Sequence, residues 1–304
     1  MSKKILITGA SGLVGSHLTE MLLQKGFQVV HVGRTKRAGI SPNAAPTFVW
    51  DVNKQEFDAE ALKGVDTIIN LAGAGVADKR WTDSRKRELL ESRTKSLALL
   101  YKTLSTTNHQ VTAVISASAI GYYGFVGNDV FTEDSKPGTD FLATLTQQWE
   151  AEADKLASLN IRIVKLRIGI VLSEKGGALT EMAKPVRMFA GSPLGSGKQN
   201  LSWIHIDDLC AMFLKAATDE NLRGAYNAVS GDWVSNEEMT KAIGKVLNRP
   251  VWPVHVPGFV LKLMLGEMAN IVLQGSKVSA DKIKQTGFEF KYTRLEEALG
   301  SLKL

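Results

Sequence analysis

An α/β fold with a parallel sheet covered by helices on both faces is what this 304-residue sequence predicts, with a smaller mixed lobe late in the chain. Three observations carry that reading. Strand-like and helix-like segments alternate through the first half of the chain. The strand-like segments are nearly continuous apolar runs, such as "DTIINL" and "AVISAS", as suits strands buried on both faces. A glycine-rich turn falls directly between the first strand and the first helix.

The first run, Lys4–Thr8, reads as a strand, and the amphipathic stretch Val14–Lys25 as the helix after it. Strands follow at Gln28–Gly33, Thr47–Trp50 and Asp66–Leu71, then a long helix over Asp83–Thr106. Val111–Ser116 is the next strand. Phe141–Leu159 is a helix with a Thr139/Asp140 cap, and Arg162–Ile168 a further strand. Such units, joined by right-handed crossovers, wind helices onto both faces of one sheet. After Ile168 the glycine-rich connectors "SEKGGAL" and "GSPLGSGKQN" interrupt the pattern. Between them, Thr180–Ala190 reads as a helix broken by Pro185. "LSWIHIDDL" then predicts a strand and a helix capped by Asp207 or Asp208. The expected division is a cofactor domain over 1–168, to which 202–230 returns, and a substrate-facing lobe with a small C-terminal domain over 169–201 and 231–304.

Composition narrows the function classes. An apolar share of 44% fits a soluble globular protein, and no apolar stretch resembles a signal peptide or spans a bilayer. The expectation is a cytoplasmic protein without a membrane partner. The single cysteine, Cys210, excludes an internal disulfide and gives no metal spacing. The net charge is +6, and the densest basic run, Lys79 to Lys95, is interleaved with Asp78, Asp83, Glu88 and Glu91. That dilution argues for a solvated helix face and against a nucleic-acid surface. The long helices of such folds pair readily, so a homodimer is a further expectation.

"KILITGASGLVGSHL" places Gly9, Gly12 and Gly15 between strand and helix, with Ser11, Leu13 and Val14 on the same loop. One glycine permits the tight turn, one lets backbone amides approach a pyrophosphate, and one lets the helix lie close on the sheet. The helix N-terminus then faces the phosphates. This is a Rossmann-type dinucleotide site. The second strand ends at Gly33-Arg34, with Lys36 and Arg37 beyond, where an NAD site would carry an acidic residue. A guanidinium there pairs with a 2′-phosphate and stacks on adenine, so NADP(H) is expected over NAD(H).

The glycine spacing, "NLAG" at Asn70–Gly73 and "WIHIDDL" at Trp203–Leu209 resemble the extended short-chain dehydrogenase/reductases. "AGAGVADKRWTDSRKRELLESR", "SASAIGYYG", "RIGIVLSEKGGAL", "PLGSGKQNLSWIHIDDL" and "GFVLKLMLGEMANIVLQGSKVSADKIKQTGFEF" together resemble one atypical subgroup. Its members carry the label epimerase family protein, nucleoside-diphosphate-sugar epimerase-like. The resemblance runs from about residue 4 to the end. It implies an NADP-binding fold with Leu71, Ala72 and Gly73 against the cofactor. Glu88 and Arg93 would stand near the adenosine–nicotinamide cleft, and Leu172 beside the nicotinamide.

In that superfamily a tyrosine moves the proton, a lysine four residues on lowers its pKa, and a Ser or Thr holds the reacting oxygen. Ser118, with Ser116 as the alternative, is the candidate for the last role. The pair itself is missing: no tyrosine here has lysine four residues later, and its slots fall among the neutral residues Leu142–Gln147. Trp149-Glu150 instead match the subgroup's own "WE". Tyr122 and Tyr123, beside Ser118, either supply a phenol or pack the loop. Arg167, on an otherwise apolar strand, reads as one half of a structural ion pair, and His205 as a hydrogen-bonded structural histidine. The expected function is an NADP(H)-dependent reductase or epimerase of a small carbonyl or nucleotide-sugar-type substrate. The alternative is an NADP(H)-sensing regulator without turnover.

Overall fold

The computed structural model describes residues 3–35, 45–125 and 129–304; Lys36 and Arg37 lie outside them. The first half runs β1 (Lys4–Thr8), α1 (Leu13–Gln24), β2 (Gln28–Gly33), β3 (Thr47–Asp51), β4 (Glu56–Phe57), β5 (Thr67–Asn70), α2 (Asp83–Thr106), β6 (Ala113–Ala119), β7 (Val130–Phe131), α3 (Phe141–Asp154) and β8 (Arg162–Ile168). The second half runs β9 (Ile170–Leu172), α4 (Ala178–Arg187), β10 (Asn200–His205), α5 (Ile206–Thr218), β11 (Gly224–Ala228), β12 (Trp233–Ser235) and α6 (Asn236–Leu247). It closes with α7 (Gly258–Leu265), α8 (Asn270–Leu273), β13 (Lys277–Val278), α9 (Asp281–Lys284) and α10 (Leu295–Gly300).

Eight strands form the main sheet in the order β11-β8-β6-β5-β1-β2-β3-β4, parallel except where β4 turns back on β3. The chain builds outward from β1 through β2 and β3, then recrosses to lay β5, β6, β8 and β11 on the other side. The reversal between β1 and β5 leaves a crevice beyond the carboxyl ends of those strands, where folds of this topology bind ligands. Helices cover the sheet in pairs, α1 with α5 and α2 with α3. The apolar runs behave as buried strands do. Ile5, Leu6, Ile7, Ile68 and Ile69 are fully enclosed, and each such side chain stabilises the fold by about 1.5–3 kcal/mol. Asp140 caps α3 by accepting from the Ala143 N–H, and Ser235 and Glu238 form a reciprocal capping box on α6.

A second core, around Leu172, Leu179, Trp203, Met239 and Leu299, holds the smaller lobe and its three-stranded sheet β12-β10-β9. Three expectations change here. Strand β10 pairs within this small sheet, although its Ile204 packs into the first core with α5, and β11 joins the large sheet. Within 231–304, Val278, Ala280, Ile283 and Phe288 pack into the first core, so that segment is shared between the two cores. Helix α4 also runs through Pro185. Proline there stands near the helix end and removes only its own N–H bond, while Met188 and Ala190 still donate to Lys184 and Pro185 carbonyls. Among the described residues, no helix is long and apolar enough to cross a membrane.

Candidate cofactor and substrate cleft

The glycine loop is set by contacts that exclude side chains. Gly9 has φ +66°, and a Cβ on it would lie 2.7 Å from the Leu71 carbonyl oxygen. A Cβ on Gly15 would lie 2.4 Å from the Gly9 carbonyl oxygen, so helix α1 rests directly on the turn. Thr8 ties the ends of β1 and β5 together: its hydroxyl donates to Asn70 Oδ1 (2.8 Å) and accepts from the Leu71 and Ala72 amides (3.1 and 3.2 Å). Gly9, Gly12, Gly15, Leu71 and Ala72 are thereby brought into one rim. Gly12 is the α1 N-cap and offers no side-chain oxygen, and it is exposed together with Ser11. The first-turn amides at Leu13 and Val14 are left to a phosphate. Helix α4 begins at Gly177, also without a side-chain cap, and a Cβ there would come within 3.0 Å of Leu13 Cδ2. Two uncapped helix N-termini thus meet at Leu13. Such a cradle fits a dinucleotide pyrophosphate, and the second terminus was missed in the sequence because "EKGGAL" reads as a connector.

Gly33 and Arg34 end β2, with the Arg34 side chain exposed. Beyond the carboxyl end of β3, a hollow of about 500 Å³ lies between Val52-Asn53 and the α2 face carrying Arg87, Glu88 and Glu91. Glu88 is exposed and paired with Arg85 at 2.7 Å, and that hydrogen bond holds its carboxyl below the ordinary glutamate range. Val52 and Asn53 carry no motif that would have singled them out.

A second cleft, with a cavity volume of about 410 Å³, opens from Leu13 between the two cores. Its walls are mostly apolar, with Ile120, Leu142, Leu145, Trp149 and Ile271 prominent. Several of its polar groups are already engaged: Thr146 donates to the Leu142 carbonyl, Ser202 to Ser276, and Ser276 to Gly124. Arg93 is the one titratable side chain among the described residues lining it. It is buried, donates to the carbonyls of Leu89 (2.9 Å) and Ala74 (3.0 Å), and lies 5.0 Å from the Trp149 ring centroid. Burial, reinforced by nearby Arg85, pushes its pKa down to about 10. Gly73 makes room for it, since a Cβ there would sit 3.1 Å from Arg93 Cζ. Leu172, expected beside the nicotinamide, has its side chain fully enclosed in the second core, while its strand neighbours Ile170 and Val171 line the cleft.

The residues expected to do chemistry form a closed network instead. Strand β6 runs on to Ala119, so Ser118 lies within it, buried, and donates to Glu150 Oε1 at 2.6 Å. Arg167 grips the same carboxylate through Nε and Nη2 (2.8 and 2.9 Å) and donates to the Tyr123 hydroxyl (3.0 Å). Tyr123 in turn donates to Asn227 Oδ1 (2.6 Å), and burial raises its pKa to about 12 despite the guanidinium. Tyr122 lies under Arg167, its ring centroid 3.5 Å from Cζ. Burial opposes charge on both Glu150 and Arg167. Their mutual hydrogen bonds outweigh it, holding the carboxyl below and the guanidinium above their ordinary ranges. Neither Ser118 nor either tyrosine lines the cleft. The hydroxyls of Ser118 and Tyr123 are thus committed to the network, while Tyr122 contributes its ring face to it.

His205 is the N-cap of α5: its Nδ1 accepts from the Asp207 N–H at 3.1 Å, so the cap is neither Asp207 nor Asp208. Asp208 instead accepts from the amides of Lys291 and Tyr292.

Comparison with known proteins agrees with this geometry. Residues 5–228 match the model of the NAD dependent epimerase/dehydratase family, and residues 256–302 match a domain of unknown function. An Arabidopsis thaliana protein, epimerase family protein SDR39U1 homolog, chloroplastic, is 36% identical over 301 residues, covering 98% of this chain and 86% of that one. The Bacillus subtilis epimerase family protein YfhF is 34% identical, covering 98% of this chain and 97% of its own. Among solved structures, human epimerase family protein SDR39U1 with NADPH superposes with a TM-score of 0.88 at 29% identity, covering 98% of both chains.

Proposed function

Since this chain belongs to the NAD dependent epimerase/dehydratase family, we propose that it binds NADP(H) and works as a one-way reductase of a small carbonyl compound. Bound NADPH supplies a hydride at the nicotinamide. The glycine loop and the α1 N-terminus hold the pyrophosphate, Arg34 reads the 2′-phosphate, and the NADPH of the human relative supports that choice of cofactor.

The observation that carries the reading is that the apolar cleft begins at Leu13, on the glycine loop itself, and holds no acid–base side chain except Arg93 among the described residues. Epimerisation by transient oxidation needs a base to take a hydroxyl proton and a return of the same hydride. A reductase needs only an enclosed acceptor beside the nicotinamide and a donor toward its oxygen. The apolar walls exclude water from the reduced ring. Absorbance of NADPH, followed with aldehydes, ketones and nucleotide sugars, tests this: saturable oxidation with a carbonyl compound is expected. Interconversion of a nucleotide sugar without net NADPH loss would replace the reading with epimerase. Tight NADPH binding with no turnover on any class would replace it with a sensor, for which the neutral face at Leu142–Gln147 is the supporting feature.

A further inference from the structure

Independently of the reductase reading, we propose that the protein docks on an anionic lipid bilayer through α7 and the loops beside it, without spanning the membrane. Among the described residues, every large apolar side chain that is more than half exposed falls on two segments, Met188-Phe189 and 252–264. Single exposed apolar residues are ordinary, but a cluster of this kind marks an interaction face. On α7, Phe259 and Leu263 lie one turn apart with Lys262 between them, and they are 73% and 78% exposed. Leu261, on the other side, is the one buried residue of the helix.

The two segments form one surface. Trp252 donates its ring N–H to the Phe189 carbonyl (2.7 Å) and its backbone N–H to the Gly191 carbonyl (2.8 Å). The Arg249 guanidinium lies 4.6 Å from the Phe189 ring centroid. Val256 then runs alongside Leu194, its amide donating to Pro193 and its carbonyl accepting from Gly195 (both 2.9 Å). A Cβ on Gly195 or on Gly258, where α7 begins, would meet the same Leu273 side chain (2.7 and 3.5 Å).

Charge identifies the occupant. The chain has no acidic residue between Glu181 and Asp207, nor between Glu238 and Glu267, yet those two stretches carry seven lysines and arginines. Arg187, Arg249 and Lys262 make no ion pair with a described residue. The bordering carboxylates are already paired: Glu181 with Lys184 (2.6 Å), Glu237 with Lys241 (2.6 Å) and Glu267 with Lys86 (2.5 Å). Apolar side chains flanked by unpaired cations match an anionic bilayer, whose acyl boundary takes the first and whose headgroups attract the second. A second copy of this chain fits worse. Across a two-fold axis the same face would set Arg187, Arg249 and Lys262 against their like, with no free carboxylate to offset them. Helix α7 has eight residues against the ~20 that a span needs, so the contact is with the surface. Composition gave the opposite expectation because so short a face averages out over 304 residues.

The test is sedimentation of the full-length protein with vesicles of phosphatidylcholine alone and of an equimolar mixture with phosphatidylglycerol. Binding to the mixed vesicles is expected, at least ~10-fold tighter than to the neutral ones and weakening as salt rises. Phe259→Ala/Leu263→Ala should weaken it by at least ~10-fold through lost apolar insertion. Arg187→Gln/Arg249→Gln/Lys262→Gln should weaken it by roughly 10²-fold, about fivefold per cation. The same charge change at Lys25, Lys102 and Lys155, exposed at the C-terminal ends of α1, α2 and α3, should matter little. All three variants should bind NADPH as the wild type does, which separates docking from folding. Failure to pellet with the mixed vesicles overturns the proposal, as does equal binding to neutral vesicles or equal weakening by the two triple variants. A concentration-dependent dimer broken by Phe259→Ala/Leu263→Ala, without vesicle binding, would give the face to a second copy. Tighter binding to poly-glutamate than to vesicles would give it to an acidic protein. None of these outcomes bears on NADPH oxidation, so the reductase reading is decided separately.

Discussion

Ser118 donates its hydroxyl across 2.6 Å to Glu150, and Arg167 holds the same carboxylate with two nitrogens. The serine sits near the carboxyl end of its strand, where a reductase of this superfamily would bind a substrate oxygen, yet its hydrogen is committed to a buried ion pair. Ser118→Ala should therefore cost roughly 1–3 kcal/mol of stability, by leaving a carboxylate oxygen short of a donor, and change the NADPH Kd and turnover by less than a few-fold. Glu150→Ala should cost about 3–5 kcal/mol, because it strands the Arg167 guanidinium. Chemical denaturation and kinetics of both variants check this. Loss of turnover in Ser118→Ala at unchanged stability would return Ser118 to the reaction.

The glycine loop yields a second prediction. Gly15→Ala forces a methyl to within 2.4 Å of the Gly9 carbonyl, backbone against backbone, and neither can yield without moving α1 off the sheet. NADPH affinity should fall by at least ~10²-fold, as fits a displacement of the phosphate cradle of about 3 kcal/mol. Gly12→Ala meets the same oxygen only at 3.3 Å and should be much milder. Isothermal titration of the two variants reads the contrast, and equal losses would mean that crowding at Gly15 does not shape the cradle.

Arg34, exposed just beyond β2, is the residue proposed to set the choice of cofactor. Arg34→Asp replaces a guanidinium that pairs with the 2′-phosphate by a carboxylate that repels it and bonds a free 2′-hydroxyl. The ratio of NADH to NADPH dissociation constants should invert. An unchanged ratio would shift the discrimination onto other groups.

Most of the fold was legible because its signals are local. Apolar runs, one glycine turn and the cap at Asp140 each act through a few neighbouring residues. The fate of Ser118 was not legible, since its partner Glu150 lies a helix away and only packing brings them together. The burial of the Leu172 side chain was hidden for a related reason: a strand residue's surroundings are set by the sheet it joins, and β9 joins the small one. The exposure of Phe259 and Leu263 could not be read from spacing at all, because it is set by what packs against α7. Arg167 was readable, as a guanidinium inside an apolar strand demands a buried partner wherever that partner lies.

His205 gives the stability of this protein a defined acid limb. Its Nδ1 accepts the Asp207 N–H, so the ring proton sits on Nε2, 3.2 Å from the Ser301 hydroxyl, and the ring packs 4.0 Å from that of Tyr292. Charging the ring would place a donor against a donor at the α5 cap. Burial accordingly lowers its pKa from 6.5 to about 4, with Asp207 opposing and Lys291 and His17 assisting. A base whose folded pKa is depressed contributes stability that is complete above its unfolded value. That contribution is lost as pH falls from 6.5 toward 4. Glu150, held below its usual 4.5, adds a second loss that begins lower, as its carboxyl protonates. The two steps separate by mutation. His205→Asn keeps an acceptor for the cap but cannot charge, so its Tm should decline less between pH 6.5 and 4.5 than the wild-type Tm, with the steeper fall below retained. His31, also lowered by burial, leaves a residual slope in the variant. Superimposable Tm-against-pH curves for the two proteins would show that the neutral cap at His205 contributes nothing to the acid limb.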